Sequence, residues 1–296
     1  MRKQIHSRKK SRKLSLALVG SGKLAGFLAV SLHSAGFKIT EIIGRDVPPS
    51  LRRARVLAKK VGARAVTANS AVLDASLIWF CVPDDEIGGA CASVADRLAN
   101  HAEHQLRFAF HSSGALLSRE LQPLRRSGVA AASVHPFMTF DAGTRPSLKD
   151  VPFAIEGDRA ATQVARQIVR ALGGESFSLA AKRKAAYHAW ATMSSPLLLA
   201  LLVTLEEAAG VAGLTPDDAR RKSLPIIRQT LANYEKFGPA RSFTGPFVRG
   251  DTTTVAKHLA ALKVNPEVME VYRALARGAI KKLPTKNQAA LKQILE

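Results

Sequence analysis

Cysteine is scarce in this chain, with only Cys81 and Cys91 among 296 residues. Neither a disulfide framework nor a paired-cysteine metal site can be built from two thiols, so no metal is expected, and reduced thiols in a cytoplasmic setting are the expectation. No secretory signal is read ahead of the first apolar run, LSLALVG. A run of about 18 apolar residues, the length a membrane span needs, is also missing. The apolar stretch from Pro196 to Val203 is far too short, and no membrane is expected as a partner.

Acids are outnumbered, 23 Asp and Glu against 44 Lys and Arg, for a net charge of +21. Seven of the basic residues fall in the first thirteen, MRKQIHSRKKSRK, read as a disordered basic tail over residues 1–13; the body keeps +14. Such a field attracts phosphates, acidic metabolites or nucleic acid. Zinc fingers, RNA-binding aromatic motifs and basic heptad helices are all lacking, so nucleic acid is not the expected partner.

What the chain does contain falls into two rhythms. Between residues 14 and 179, runs rich in Val, Ile and Phe alternate with helical patterns: LSLALVG, FKITEIIG, ARAVTA, SLIWFCV, QLRFAFH, residues 128–135, and VPFAIEG. Strands alternating with helices predict an α/β Rossmann-type, doubly wound parallel sheet. Residues 180–296 lose the strand signal and read as an all-helical domain, with helices over about 180–209, 215–237, 251–262, 266–283 and 286–295. Pro196 should kink the first of these, because it removes a backbone donor and clashes with the preceding turn.

The first strand runs into Gly20-Ser21-Gly22-Lys23-Leu24-Ala25 at the start of an amphipathic helix. This is the Gly-x-Gly-x-x-Ala fingerprint: Gly20 for the tight turn, Gly22 for close approach of a pyrophosphate, Ala25 for helix packing on the strand. The helix N-terminus adds amide donors and the positive end of its dipole. After the second strand, Gly44-Arg45-Asp46 offers both an Arg for the extra phosphate of NADP and an acid for the ribose of NAD. Arg52 and Arg53 follow closely, so NADP is favoured and NAD remains open. Val82, Pro83 and Asp84 leave the fourth strand on the same rim, where Asp84 either lines the cofactor or caps the next helix.

Two more strand ends on that rim carry polar groups: His111-Ser112-Ser113-Gly114 and His135-Pro136. Histidine can shuttle a proton near neutral pH, and serine with backbone amides can hold an oxyanion; both runs could equally be local turn chemistry. In KAAYHAWATMSS, the spacing puts Lys184, His188 and Ser195 on one helical face with Tyr187 beside them. Within FTGPFVRGDTTTV, Gly245-Pro246 and Asp251 have structural uses as a break and a helix cap. Thr244 and Arg249 do not, and Arg249 could clamp a carboxylate or phosphate.

Taken together, GSGKLA, CVPDDEI, HSSGAL, SVHPFMTF, AIEGD, KAAYHA, TGPFVRGD and TTTVAKHLAAL resemble the Rossmann-like oxidoreductase family with a C-terminal domain of unknown function 2520, distantly similar to pyrroline-5-carboxylate reductases and β-hydroxyacid dehydrogenases. Pro196 departs from the family, whose members often carry Asn there. The resemblance implies NADPH-dependent reduction of a small carbonyl or imine substrate held where the two domains meet, and a homodimer through the helical domain. With rim position, it assigns His188 or Lys184 as proton donor and His111, Ser112, Ser113, His135, Ser195, Thr244 and Arg249 to substrate. The alternative is a sensor or scaffold that binds the dinucleotide without turnover.

Overall fold

The computed structural model describes residues 14–99, 105–140 and 147–296; the basic tail lies outside them. The first compact unit runs to Thr192 and the second from Met193.

In the first unit the chain order is β1 (Ser15–Val19), α1 (Lys23–Ser34), β2 (Lys38–Gly44), α2 (Pro48–Val61), β3 (Arg64–Thr67), β4 (Leu77–Phe80), α3 (Ile87–Ala99), β5 (Phe108–His111), α4 (Gln122–Arg126), β6 (Ala130–Pro136), β7 (Pro152–Gly157), α5 (Arg159–Ala171), β8 (Glu175–Ser178) and α6 (Lys184–Ser194), which crosses the division. Side chains alternate across a strand, so β1 sends Leu16 and Leu18 to one face and Ala17 and Val19 to the other. On the first face the sheet is covered by α1, α2 and α5, on the second by α3 and α4. Each fully buried Leu or Ile there stabilises the fold by about 1.5–3 kcal/mol.

The eight strands lie in the order β3-β2-β1-β4-β5-β6-β7-β8. Six are parallel, as the alternating pattern predicts, but β7 pairs antiparallel with β6, and β8 runs parallel to β7. Among the described residues no helix separates β6 from β7, and a strand that returns without a crossover returns antiparallel. β8, with the polar sequence ESFS at the sheet edge, carries no apolar alternation and is not legible as a strand.

The expected domain boundary at 179 marks where strands stop, whereas the division of the structure falls within α6. Lys184 and Tyr187 on the first turns of that helix are buried and bond to β6, which ties these turns to the sheet.

The second unit is built of helices: α7 (Pro196–Val211), α8 (Pro216–Ser242), α9 (Pro246–Arg249), α10 (Thr252–Leu262), α11 (Pro266–Lys282) and α12 (Gln288–Leu295). Its core is Val255, Leu259, Ala276, Ile280, Leu291 and Leu295, contributed by α10, α11 and α12. Pro196 ends one helix and starts another: Ser195 leaves helical geometry at φ −134°, ψ −79°, and Pro196 takes the first position of α7, where its missing N–H costs nothing. α8 breaks in turn at Gly238, φ 73°. By length and composition the helical residues 181–211 would suffice to cross a membrane, although no uninterrupted apolar run is present. Ser195 interrupts them, and Lys184 in their first half is committed to the sheet.

Candidate functional site

The carboxyl ends of β1, β2, β4, β5 and β6 form one rim, because these strands are parallel. At its β1 end, Gly20 sits at φ +111°, and a Cβ there would lie 2.3 Å from the Cys81 carbonyl oxygen. No other residue fits. Gly22 is different: it has an ordinary φ of −79°, and a Cβ on it would meet nothing within 4 Å. Neither packing nor conformation requires glycine at 22, so its smallness serves the open space above the start of α1. Ala25 is fully buried between helix and strand.

Above this turn is a cavity of about 570 Å³ lined by Gly20, Ser21, Gly22, Gly44, Arg45, Val82 and Pro83 from the expected set. Lys23, Leu24, Ala25 and Asp84 do not line it. Sequence reasoning did not reach Ser50, Asn69, Glu86 and the small residues Gly89, Ala90 and Ser93 of α3, which do. Ser50 is buried and accepts nothing idle: its Oγ receives the Arg45 amide at 3.0 Å, and its carbonyl accepts from Ser21 Oγ at 3.2 Å. Those two bonds fix the glycine turn against the β2 end. The cavity floor and the arginines at its mouth suit a dinucleotide: backbone close enough for a pyrophosphate, guanidinium groups for phosphate.

Next along the rim, Asp84 accepts a 2.7 Å hydrogen bond from Ser113 Oγ. It makes no helix cap; it ties the β4 turn to the β5 loop, correcting the capping alternative. Ser113 Oγ in turn accepts the amides of Ala115 and Leu116 at 3.1 and 2.8 Å. His111 is fully buried, with Nδ1 accepting the Ser113 amide at 3.1 Å and Nε2 donating to the Leu117 carbonyl at 3.0 Å. Both ring nitrogens are thus spent on the 111–117 loop, and burial pushes the imidazole down to about 4. Ser112 accepts from the Trp79 indole at 2.8 Å. His111 and Ser112, expected at the substrate, shape the loop from inside.

Facing that loop are the β6 and α6 side chains. The Lys184 ammonium donates to Ser133 Oγ, which donates to the Ser113 carbonyl at 3.1 Å. Lys184 is only 2% exposed, and burial pushes it down to about 8, with Glu156 and Asp84 opposing the shift. His135 Nδ1 lies 2.6 Å from the Tyr187 hydroxyl. Burial first, then the positive charge of Lys184, push His135 to about 4, while burial pushes the Tyr187 phenol up. A Cβ on Gly114 would come within 2.8 Å of both His135 Nε2 and His188 Cδ2, so the three residues converge. The structure therefore brings together Ser113, His135, Lys184 and His188, and adds Gly114, Ser133 and Tyr187. A serine inside the otherwise small and apolar β6 run was the available signal for Ser133.

Ser195, Thr244 and Arg249 belong to the second unit. Thr244 and Arg249 are exposed, and Arg249 ends the single turn of α9. Its neighbours are structural: Gly250 is left-handed, with a Cβ position 2.7 Å from Asn287, and Asp251 caps α10 through the Thr254 amide at 2.9 Å.

Residues 2–136 match the model of a Rossmann-like domain, and residues 151–279 that of a domain of unknown function, DUF2520. No curated protein matches the chain by sequence. Among solved structures, protein TM1727 from Thermotoga maritima is 23% identical with a TM-score of 0.70, over 95% of this chain and 98% of that one. A reductive aminase from Aspergillus terreus in complex with NADPH and ethyl-5-oxohexanoate is 16% identical, TM-score 0.62, over 95% and 99%. A pyrroline-5-carboxylate reductase from Coxiella burnetii is 16% identical, TM-score 0.58, over 91% and 98%. At such identities the likeness establishes the fold.

Proposed function

We propose that this chain, which joins a Rossmann-like domain to a DUF2520 domain, is a nicotinamide-dependent oxidoreductase that uses NADPH to reduce a small carbonyl or imine compound. The observation that carries the reading is a buried lysine of α6 bonded to Ser133 of β6, in the same sheet whose β1 turn floors the glycine cavity. A nicotinamide supplies the hydride when bound. The chain supplies position and the proton. Gly20, Ser21 and Gly22 with the start of α1 hold the pyrophosphate, and Arg45 and Arg53 take the extra phosphate. Lys184 Nζ, still largely protonated at pH 7, gives the proton to the developing alkoxide or amide nitrogen. Ser133 holds the ammonium in place, and His135 with Tyr187 orients the reacting group.

Ser113 and His188 complete the substrate-facing set. Calorimetric titration with NADPH and NADH tests the reading. Binding of at least one is expected; if neither binds to the folded chain, the reading fails.

A homodimer through the helical unit is part of the same proposal. α7 is apolar almost all round, yet none of its residues is buried, and Leu197, Leu199 and Val203 are exposed. A helix of that kind normally has a partner surface. Leu199→Glu is expected to convert a dimer to a monomer in sedimentation velocity; a wild-type monomer at micromolar concentration would refute it.

A further inference from the structure

Arg45 does not stand free at the mouth of the nucleotide cavity. Its Nη1 donates to Glu86 Oε1 at 2.8 Å, and both residues line the cavity. Glu86 is placed there by local geometry. The chain leaving β4 makes a single 3₁₀ turn over Asp84–Glu86, closed by the Glu86 amide on the Pro83 carbonyl at 3.0 Å. Ile87, the next residue, is buried at the start of α3, which directs Glu86 outward over the opening. Beneath it the first turns of α3 present Gly89, Ala90 and Ser93, with Ala68 also on the cavity wall. Small side chains of this sort leave room for a planar base, and Arg45 and Glu86 meet at the cavity from the carboxyl ends of β2 and β4.

We infer that Glu86 is a specificity-determining residue that weakens the preference for NADP over NAD by holding the guanidinium of Arg45. The inference rests on the proposed nicotinamide reading. A 2′-phosphate seeking Arg45 must displace the Glu86 carboxylate and then sit beside its negative charge. A ribose carrying only hydroxyls meets neither obstacle, and the pair can stay closed above the adenine. The side chains are 64% and 33% exposed, and pairs that open to water are weak, so phosphate can win this exchange but at reduced affinity. Asp46 lines the same mouth and adds negative charge; Arg53, also there, is the second guanidinium available to a phosphate. With two acids and two arginines at the opening, freeing Arg45 tips the balance toward the phosphorylated cofactor.

The test is calorimetric titration of the full chain, at pH 7.5 and low salt, with NADPH and with NADH. Four proteins are compared: wild type, Glu86→Gln, Arg45→Gln and the double variant. Glu86→Gln is expected to tighten NADPH binding about five- to tenfold, while NADH changes by less than about twofold. In the Arg45→Gln background the same change should alter NADPH binding by less than about twofold, because Glu86 acts through Arg45. Equal tightening for both cofactors, no change for NADPH, or a gain that survives without Arg45 each overturns the inference. A folded wild type and Glu86→Gln variant that bind neither cofactor overturn the nicotinamide reading itself, an outcome distinct from the other three.

Discussion

Lys184→Met is expected to lower turnover by about 10²- to 10⁴-fold, the range for losing a positioned proton donor, while NADPH affinity stays within about twofold. Loss of NADPH absorbance with a panel of small ketones and cyclic imines is the measurement. The affinity should survive because Lys184 bonds Ser133 on β6 and does not line the nucleotide cavity. The fold should survive as well. Burial holds Lys184 down to about 8 against an ordinary 10.5, so between those values the unfolded chain binds more protons than the folded one. Stability then rises with pH through that window, and below it the buried charge is a cost. Replacing the ammonium by an unbranched apolar side chain removes that cost, so the melting temperature at pH 7 should be no lower than that of wild type. A sensor with no turnover would show the stability effect and nothing else.

The same group sets the sign of the pH profile. For reduction, the donor must be protonated, so kcat/KM should fall as pH rises through about 8, and for the reverse oxidation it should rise through the same value. His111 and His135, both held near 4, stay neutral across this range and contribute no limb near neutrality. They act on stability instead: an unfolded histidine gains its proton near 6.5, so stability declines as pH drops from there toward 4. If His188 carries the proton instead, turnover persists in Lys184→Met and collapses in His188→Ala.

Backbone requirements were the most legible part of the chain. A glycine turn between a strand and a helix has few alternative meanings, and the positive φ of Gly20 confirms why that residue is glycine. The polar ends of β5 and β6 were legible as a rim for the same reason, since strand direction alone puts them there. Their division of labour was not. Whether His111 faces a ligand or its own loop depends on where Ser113 and Leu117 turn back, and sequence spacing does not encode that. Lys184 finds Ser133 across 51 residues, and Arg45 finds Glu86 across 41. Such pairs exist only once the sheet order is set. The reversed β7 was hidden because apolar alternation reports burial and says nothing about direction.

Gly20→Ala and Gly22→Ala should separate what the fold needs from what a nucleotide needs. At Gly20 the added methyl would stand 2.3 Å from the Cys81 carbonyl oxygen and 2.9 Å from its carbon, both backbone atoms of the neighbouring central strand end. That strand end is held in turn, since the Cys81 amide donates to the Val19 carbonyl at 2.7 Å, and the Gly20 amide donates to Ile43 at 2.8 Å. Relief requires β1 and β4 to part or Gly20 to abandon φ +111°, which breaks those bonds. The expected cost is about 2–4 kcal/mol, a fall in melting temperature of about 5–15 °C. NADPH affinity should drop by at least about 100-fold as the turn is displaced, equivalent to about 2.7 kcal/mol. At Gly22 the methyl meets no protein atom, and φ −79° suits alanine, so thermal stability should change by less than about 1 kcal/mol. Its only obstacle is a ligand pressed against the backbone at the start of α1. A fall in NADPH affinity with unchanged melting temperature is therefore the signature of pyrophosphate at that spot, whereas wild-type affinity in Gly22→Ala would show that the phosphates bind elsewhere.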